Sequence, residues 1–199
     1  MKKTILLIFI CIGFILTGCA TSVERVDTDK VIDLSGRWND TDSRLVSEEM
    51  IKDALSRPWL RRFIRENSGK LPVVIVGAVR NRSYEHINVQ TFVKDLERAL
   101  INSGDVDFVA SSEERGEIRG ERKDQATHSS RETAKADRRE IGADFMLQGT
   151  INSIIDKADG KAVIFYQVNL ELIDIETHRK AWIGEKKIKK FVKRPKMKL

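Results

Sequence analysis

Cysteine is almost absent from this chain: of 199 residues only Cys11 and Cys19 carry a thiol, and both lie near the N-terminus. Past Cys19 there can be no disulfide, no cysteine nucleophile and no thiolate metal site. Long apolar runs are missing too. The longest, residues 5–16, has about a dozen residues where a helix crossing a hydrocarbon layer needs roughly 20. Sequence signatures of catalysis are also lacking: there is no HExxH, no GxSxG, no SxxK and no glycine-rich phosphate loop. The three histidines, His86, His128 and His178, fall in expected loops or turns without a metal-spaced partner. Gly116 and Gly120 flank charged residues where a mobile turn accounts for both. The carboxylate pairs Glu113/Glu114 and Asp105/Asp107 are adjacencies expected of a chain with 33% charged residues. These absences point away from an enzyme and imply no cofactor and no metal. Acid is missing in one place, for after Glu185 the chain carries eight bases and no carboxylate side chain.

What is present at the N-terminus sets the address. Lys2 and Lys3 precede the apolar run, which ends in Leu16-Thr17-Gly18-Cys19. This is the pattern of a signal peptide with a lipobox: small residues at 17 and 18 enter a peptidase cleft, and the Cys19 thiol accepts a diacylglyceryl group. The expected organisation is a signal peptide over 1–18, a lipidated N-terminus and short linker over 19–36, one domain over 37–191 and a basic tail over 192–199. Cys11 leaves with the signal. The linker, free of proline, spans at most about 60 Å extended and about 20 to 25 Å as a flexible coil. Ala20 stands where enterobacterial sorting rules read aspartate as inner-membrane retention, so the expected location is the outer membrane, lipid-anchored, on the periplasmic side. Removing Lys2 and Lys3 from the formal +6 leaves +4, and the eight terminal bases more than account for it, since residues 19–185 sum to −4. On an exported chain such a tail is a candidate contact for an anionic envelope surface and not for nucleic acid.

The pattern along the domain alternates strand and helix. Residues 40–43 (DTDS) offer N-caps to a helix carrying Leu45, Val46, Met50, Ile51, Ala54 and Leu55. Pro58 suits the first turn of a second helix with Trp59, Leu60, Phe63 and Ile64. Trp38, at the domain's start, is placed to clamp the linker onto it. The β-branched run 72–79 (PVVIVGAV) predicts a strand covered on both faces, at the centre of a sheet. A helix carrying Phe92, Leu96 and Leu100 follows, stopped by Gly104, and then a strand at 106–110. Residues 111–140, dominated by charge, predict one or two thin surface helices around a mobile turn. Phe145, Leu147, Gly149, Ile151 and Ile155 alternate along a third strand, Asp159-Gly160 makes a hairpin, and two further strands complete an antiparallel meander. The fold class is α/β, a small four- or five-stranded mixed sheet backed by helices and ending in an antiparallel hairpin. Arg80, Asn81 and Arg82 form a loop after the first strand, where open α/β sheets gather ligands, and its two guanidinium groups can fork onto carboxylates. These three are the candidate partner-binding residues.

Several segments in order, VVIVGAVRNRS, LINSG, VDFVASS, REIGADFMLQGT and LELIDIETHRKAWIGEKK, make the chain resemble the LpoB family of penicillin-binding-protein activators. The resemblance runs from about Arg37 to Ile188. It implies a fold like the N-terminal domain of TolB and parts of the curli secretion lipoprotein. It implies a function as well: an outer-membrane lipoprotein that docks on a class A penicillin-binding protein and activates it allosterically. The alternative is an envelope assembly or secretion-accessory lipoprotein that uses the same domain for oligomeric packing. Two features depart from the family pattern, the short proline-free linker and the lysine-rich end.

Overall fold

The computed structural model describes residues 21–135 and 139–193. Cys19, the signal stretch and residues 194–199 lie outside them. The chain divides at Val31/Ile32, and every element below belongs to the unit Ile32–Leu199.

The first helix, α1 (Asp40–Ser56), is capped by Asn39 and not by the residues at 40–43. Asn39 Oδ1 accepts from the Asp42 amide at 3.0 Å while the Asp42 carboxylate accepts from the Asn39 amide at 3.0 Å, a reciprocal capping box. Thr41, Asp42 and Ser43 are buried in the first turn, which is why polar residues there serve the interior. Pro58 opens α2 (Pro58–Glu66), as its fixed φ allows. The Trp59 indole donates to the Ala54 carbonyl at 2.7 Å and fastens the kink between the two helices. Trp59 and Phe63 meet Phe145 edge to face, with ring centroids 5.0 and 5.4 Å apart.

Strand β1 (Val73–Arg82) leads to α3 (Val89–Ser103), which ends at the left-handed Gly104 (φ 70°). A two-residue β2 (Asp107–Phe108), a charged α4 (Ser112–His128), and three long strands β3 (Phe145–Ala158), β4 (Lys161–Asp174) and β5 (Lys180–Lys193) complete the order. The sheet runs β2-β1-β3-β4-β5, with β1 parallel to β2 and β3 and the last three antiparallel. It is therefore a mixed five-stranded sheet, and β3 is its middle strand. Residues 72–79 read as the centre because Val74, Ile75 and Val76 are all buried. Only the two-residue β2 lies outside them, so burial on both faces does not by itself mark the central position.

Alternation governs the meander. Phe145, Leu147 and Ile151 of β3, Tyr166, Val168, Leu170 and Leu172 of β4, and Trp182 of β5 are buried on one face, where α1, α2 and α3 pack. A Cβ at Gly149 would run into the Asn169 carbonyl and the Leu170 side chain, so glycine is what lets β3 and β4 close at that point. On the opposite face no residue of β3, β4 or β5 is buried. That face is open.

Up to Lys193 the basic segment is strand and not tail, and its lysines divide by parity. Lys186 and Lys190 share the inner face with Trp182. Lys186 is ion-paired with Glu49, Lys190 bonds Asp42 at 2.6 Å and Asp33 at 2.7 Å, and the Trp182 indole donates to Asp53 at 2.9 Å. Burial works against the Lys190 ammonium, but its two carboxylate partners outweigh it and hold its pKa above the ordinary lysine range. One stripe of α1 is thus bolted to alternate residues of β5.

Residues 112–128 are a single helix, and Gly116 and Gly120 lie inside it, not in a turn. Each glycine costs a helix about 1 kcal/mol relative to alanine, and α4 buries no residue to offset it. Its ties are polar: the Ser111/Glu114 capping box, Lys94 to Glu114 at 2.8 Å, and Arg119 bidentate on Glu140 at 2.8 and 2.9 Å. Lys94 and the Ser111 amide and hydroxyl pull the Glu114 carboxyl down to about 2.

Two predictions follow from this packing. Lys190→Ala strands the 9%-exposed Asp42 carboxylate and should cost about 3 kcal/mol, whereas Lys189→Ala should stay within about 0.5 kcal/mol; urea melts of the two variants compare them. Because the folded Glu114 pKa lies below its ordinary 4.5, its contribution is complete above pH 4.5 and is lost as pH falls toward 2. Carbon-13 α shifts of residues 112–118 should lose helicity over that window, and Glu114→Gln should abolish the dependence.

Candidate docking face

The two arginines of the candidate triad reach the open face through a bulge. Val74, Ile75 and Val76 pair with Phe145, Met146 and Leu147, but the next pair is Val79 with Gly149, so β1 holds one extra residue at Gly77-Ala78. In an unbroken strand Arg80 would share the inward face of Val74 and Val76. The bulge instead turns Val79 inward, where it is buried, and Arg80 and Arg82 outward, where both are exposed. These residues belong to β1 and not to a loop beyond it.

Arg80 sits opposite Thr150 and Arg82 opposite Asn152, and across β3 those two face Asn169 and Gln167. The Asn152 amide donates to the Thr150 hydroxyl at 3.1 Å and the Gln167 amide to Asn169 at 3.2 Å. The result is a neutral, hydrogen-bonding band across the sheet with two guanidinium groups at one end. Among the described residues neither arginine is in an ion pair. Such a surface is chemically suited to carboxylates on a partner.

Asn81 has a different place. Its amide donates to the Glu85 carbonyl at 2.7 Å, and its Oδ1 accepts from the Ser83 amide and hydroxyl at 2.9 and 2.7 Å. That knot closes the turn and aims Glu85 inward. Glu85 Oε2 accepts from the Trp38 amide at 3.2 Å and Oε1 accepts from the Tyr166 hydroxyl at 2.7 Å. Burial, and then the Glu85 carboxylate, push the Tyr166 phenol well above its ordinary range, so it stays a donor. Trp38 also packs edge-on against Phe92 and Tyr166 and donates its indole to Ser43 at 2.8 Å. It clamps the domain's entry as the sequence suggests. Glu85 itself was not visible in the sequence, because its partners lie 47 and 81 residues away.

Cys19 lies outside the described residues. His86 is exposed, His178 sits at φ 59° in the β4–β5 turn, and His128 is not in a loop but ends α4 beside Asp124. Among the described residues no three His, Cys, Asp or Glu side chains gather as a metal ion would require, and no helix is long and apolar enough to cross a membrane.

Comparison with known proteins places this arrangement. The LpoB C-terminal domain of Salmonella enterica matches at 19% identity, over 69% of this chain and 94% of that one, with a TM-score of 0.35. The corresponding Escherichia coli domain matches at 17% identity, over 66% and 98%, with a TM-score of 0.38. The lipoprotein GNA1162 of Neisseria meningitidis matches at 12% identity, over 63% and 88%, with a TM-score of 0.39. No curated protein sequence matches. The family described as "Peptidoglycan-synthase activator LpoB" matches residues 42–188, from the first turn of α1 to the inward-facing Ile188 of β5. By that match, this chain belongs to the LpoB family of peptidoglycan-synthase activators.

Proposed function

We propose that this chain is a lipoprotein anchored through Cys19 in the outer membrane, whose domain binds a class A penicillin-binding protein and raises its activity. The family match across residues 42–188, nearly the whole folded unit, carries the reading. The domain acts as a ligand and not as a catalyst. To activate, it must bind the active conformation of the synthase more tightly than the resting one, and the ratio of the two affinities is the activation it can deliver.

The open sheet face is the proposed docking surface, with Arg80 and Arg82 as its charged contacts and Asn81 as the residue that shapes the turn beside them. Support comes from the bulge, which spends a residue of β1 to place two exposed guanidinium groups beside a polar band that offers donors and acceptors. The test is the glycosyltransferase and transpeptidase rate of a purified class A synthase with and without the domain. No stimulation and no binding would overturn the reading. Closed self-assembled rings in place of a synthase complex would favour the assembly alternative.

Two outcomes are expected of variants. Arg80→Ala with Arg82→Ala should leave the melting curve unchanged and weaken synthase binding by about 2 kcal/mol or more if the pair sits in a desolvated centre; equal affinity removes the arginines from the mechanism. Cys19→Ala should leave the domain folded but release it from the membrane on fractionation, and sedimentation with outer membrane after a high-salt wash would exclude the anchor.

A further inference from the structure

The open face has a second region that the docking reading does not use. At the β3–β4 hairpin end, Ile154 and Phe191 are each 65% exposed, and Phe165 and Val163 lie half-buried between them on β4. The register joins them: Ile154 faces Phe165, and Val163 faces Phe191. Lys189 lies directly beside Phe165, and Lys193 beside Lys161, all on the same face. Asp156, beside Val163, is the one acid among them. Beyond Lys193 the sequence adds Arg194, Lys196 and Lys198 and no acidic side chain. An exposed aromatic within a cluster of lysines is expensive to leave in water and suits an interface that is apolar below and anionic above.

The entry of the tether selects the occupant. A Cβ on Gly36 (φ 72°) would collide with the Val192 side chain, so the segment joining linker to domain passes directly over β5 at the residue after Phe191. Asp33 is held there by Lys190. The linker therefore leaves the domain at the same corner that carries the basic and apolar cluster. Residues 20–31 reach at most about 40 Å extended and about 20 Å as a coil. A single acyl-type anchor gains most from a polybasic second contact.

We infer that this corner, formed by the C-terminal half of β5 and the β3–β4 hairpin, is a contact surface for an anionic phospholipid bilayer, with Phe191 and Ile154 entering the headgroup boundary and Lys189, Lys193 and Lys161 meeting lipid phosphates. The choice of the anchoring membrane as occupant rests on the Cys19 reading. Arg80 lies about 20 Å away along the strands and about 14 Å across them, so a domain tipped onto this corner keeps its arginines free for a protein.

The test uses the mature chain carrying Cys19→Ala, so that no lipid contributes. It is mixed with vesicles of equal parts phosphatidylglycerol and phosphatidylcholine, or of phosphatidylcholine alone, and sedimented at low and moderate salt. The chain should bind the anionic vesicles, bind the neutral ones far more weakly, and lose affinity as salt rises. Lys189→Gln and Lys193→Gln should each cost about fivefold. Phe191→Ser should cost about tenfold, with an unchanged melting curve and unchanged synthase affinity in solution. Absence of binding, equal binding to neutral vesicles, or indifference to all three substitutions overturns the inference. If Phe191→Ser instead weakens synthase binding while no vesicle is bound, the corner docks protein, and the activator reading stands without this one.

Discussion

The organising constraint of this domain is that its three long strands are covered on one side only. β3, β4 and β5 run 14 residues each in continuous antiparallel register, so every second side chain faces the layer of α1, α2 and α3 and every other one faces water. Burial of one face supplies the hydrophobic stabilisation, and the other face is left to be polar, charged or adhesive without cost to the core. The same alternation runs through the lysines of β5. Lys186 and Lys190 act as bolts to α1, whereas Lys189 and Lys193 contribute nothing to packing. One basic run thus does two physically separate jobs.

A second constraint ties the ends of that layer together. Glu85 accepts from the backbone of Trp38 and from the hydroxyl of Tyr166, while Asn81 and Ser83 lock the turn that carries it. The carboxylate is therefore shared between the domain's entry, the end of β1 and the middle of β4. A half-buried carboxylate is tolerable because it has two donors, one of them a phenol whose proton the surroundings hold firmly. Since Arg82 directly follows Asn81, the orientation of the open face at β1 is referred back to the core through this knot.

Much of the fold was legible because it rests on local signals. Pro58 at a helix start, Gly104 at a helix stop, Asp159-Gly160 between two alternating runs and the apolar period of α3 each act through their own backbone or nearest turn. What was not legible depends on distant partners. The bulge at Gly77-Ala78 is set by the pairing of β1 with β3, about seventy residues on, and it alone decides whether Arg80 faces the helices or the solvent. The lysines of 186–193 look like a solvated tail because charge dominates them; their strand character comes from β4 alongside and from Asp42 and Glu49 beneath. In α4 two glycines read as a turn, yet capping and ion pairs to Lys94 and Glu140 hold a helix there. Cys19, the clearest motif of all, is chemical and not conformational, and the folded structure neither needs nor reveals it.

The geometry also bears on how a short tether can serve a partner. A linker that joins the domain at the Val192 corner lets the domain pivot about that corner, so the position of any other surface relative to the membrane is set by the tilt and not by the linker's length. Arg80 is the far point of the open face from that pivot, at roughly 25 Å by strand spacing and rise. Tipping the sheet upright carries the arginines outward by about that distance, while laying it flat withdraws them. A domain on a brief tether therefore gains reach through its own long strands, and β3–β5, longer than the typical strand of about 5–6 residues, supply the lever.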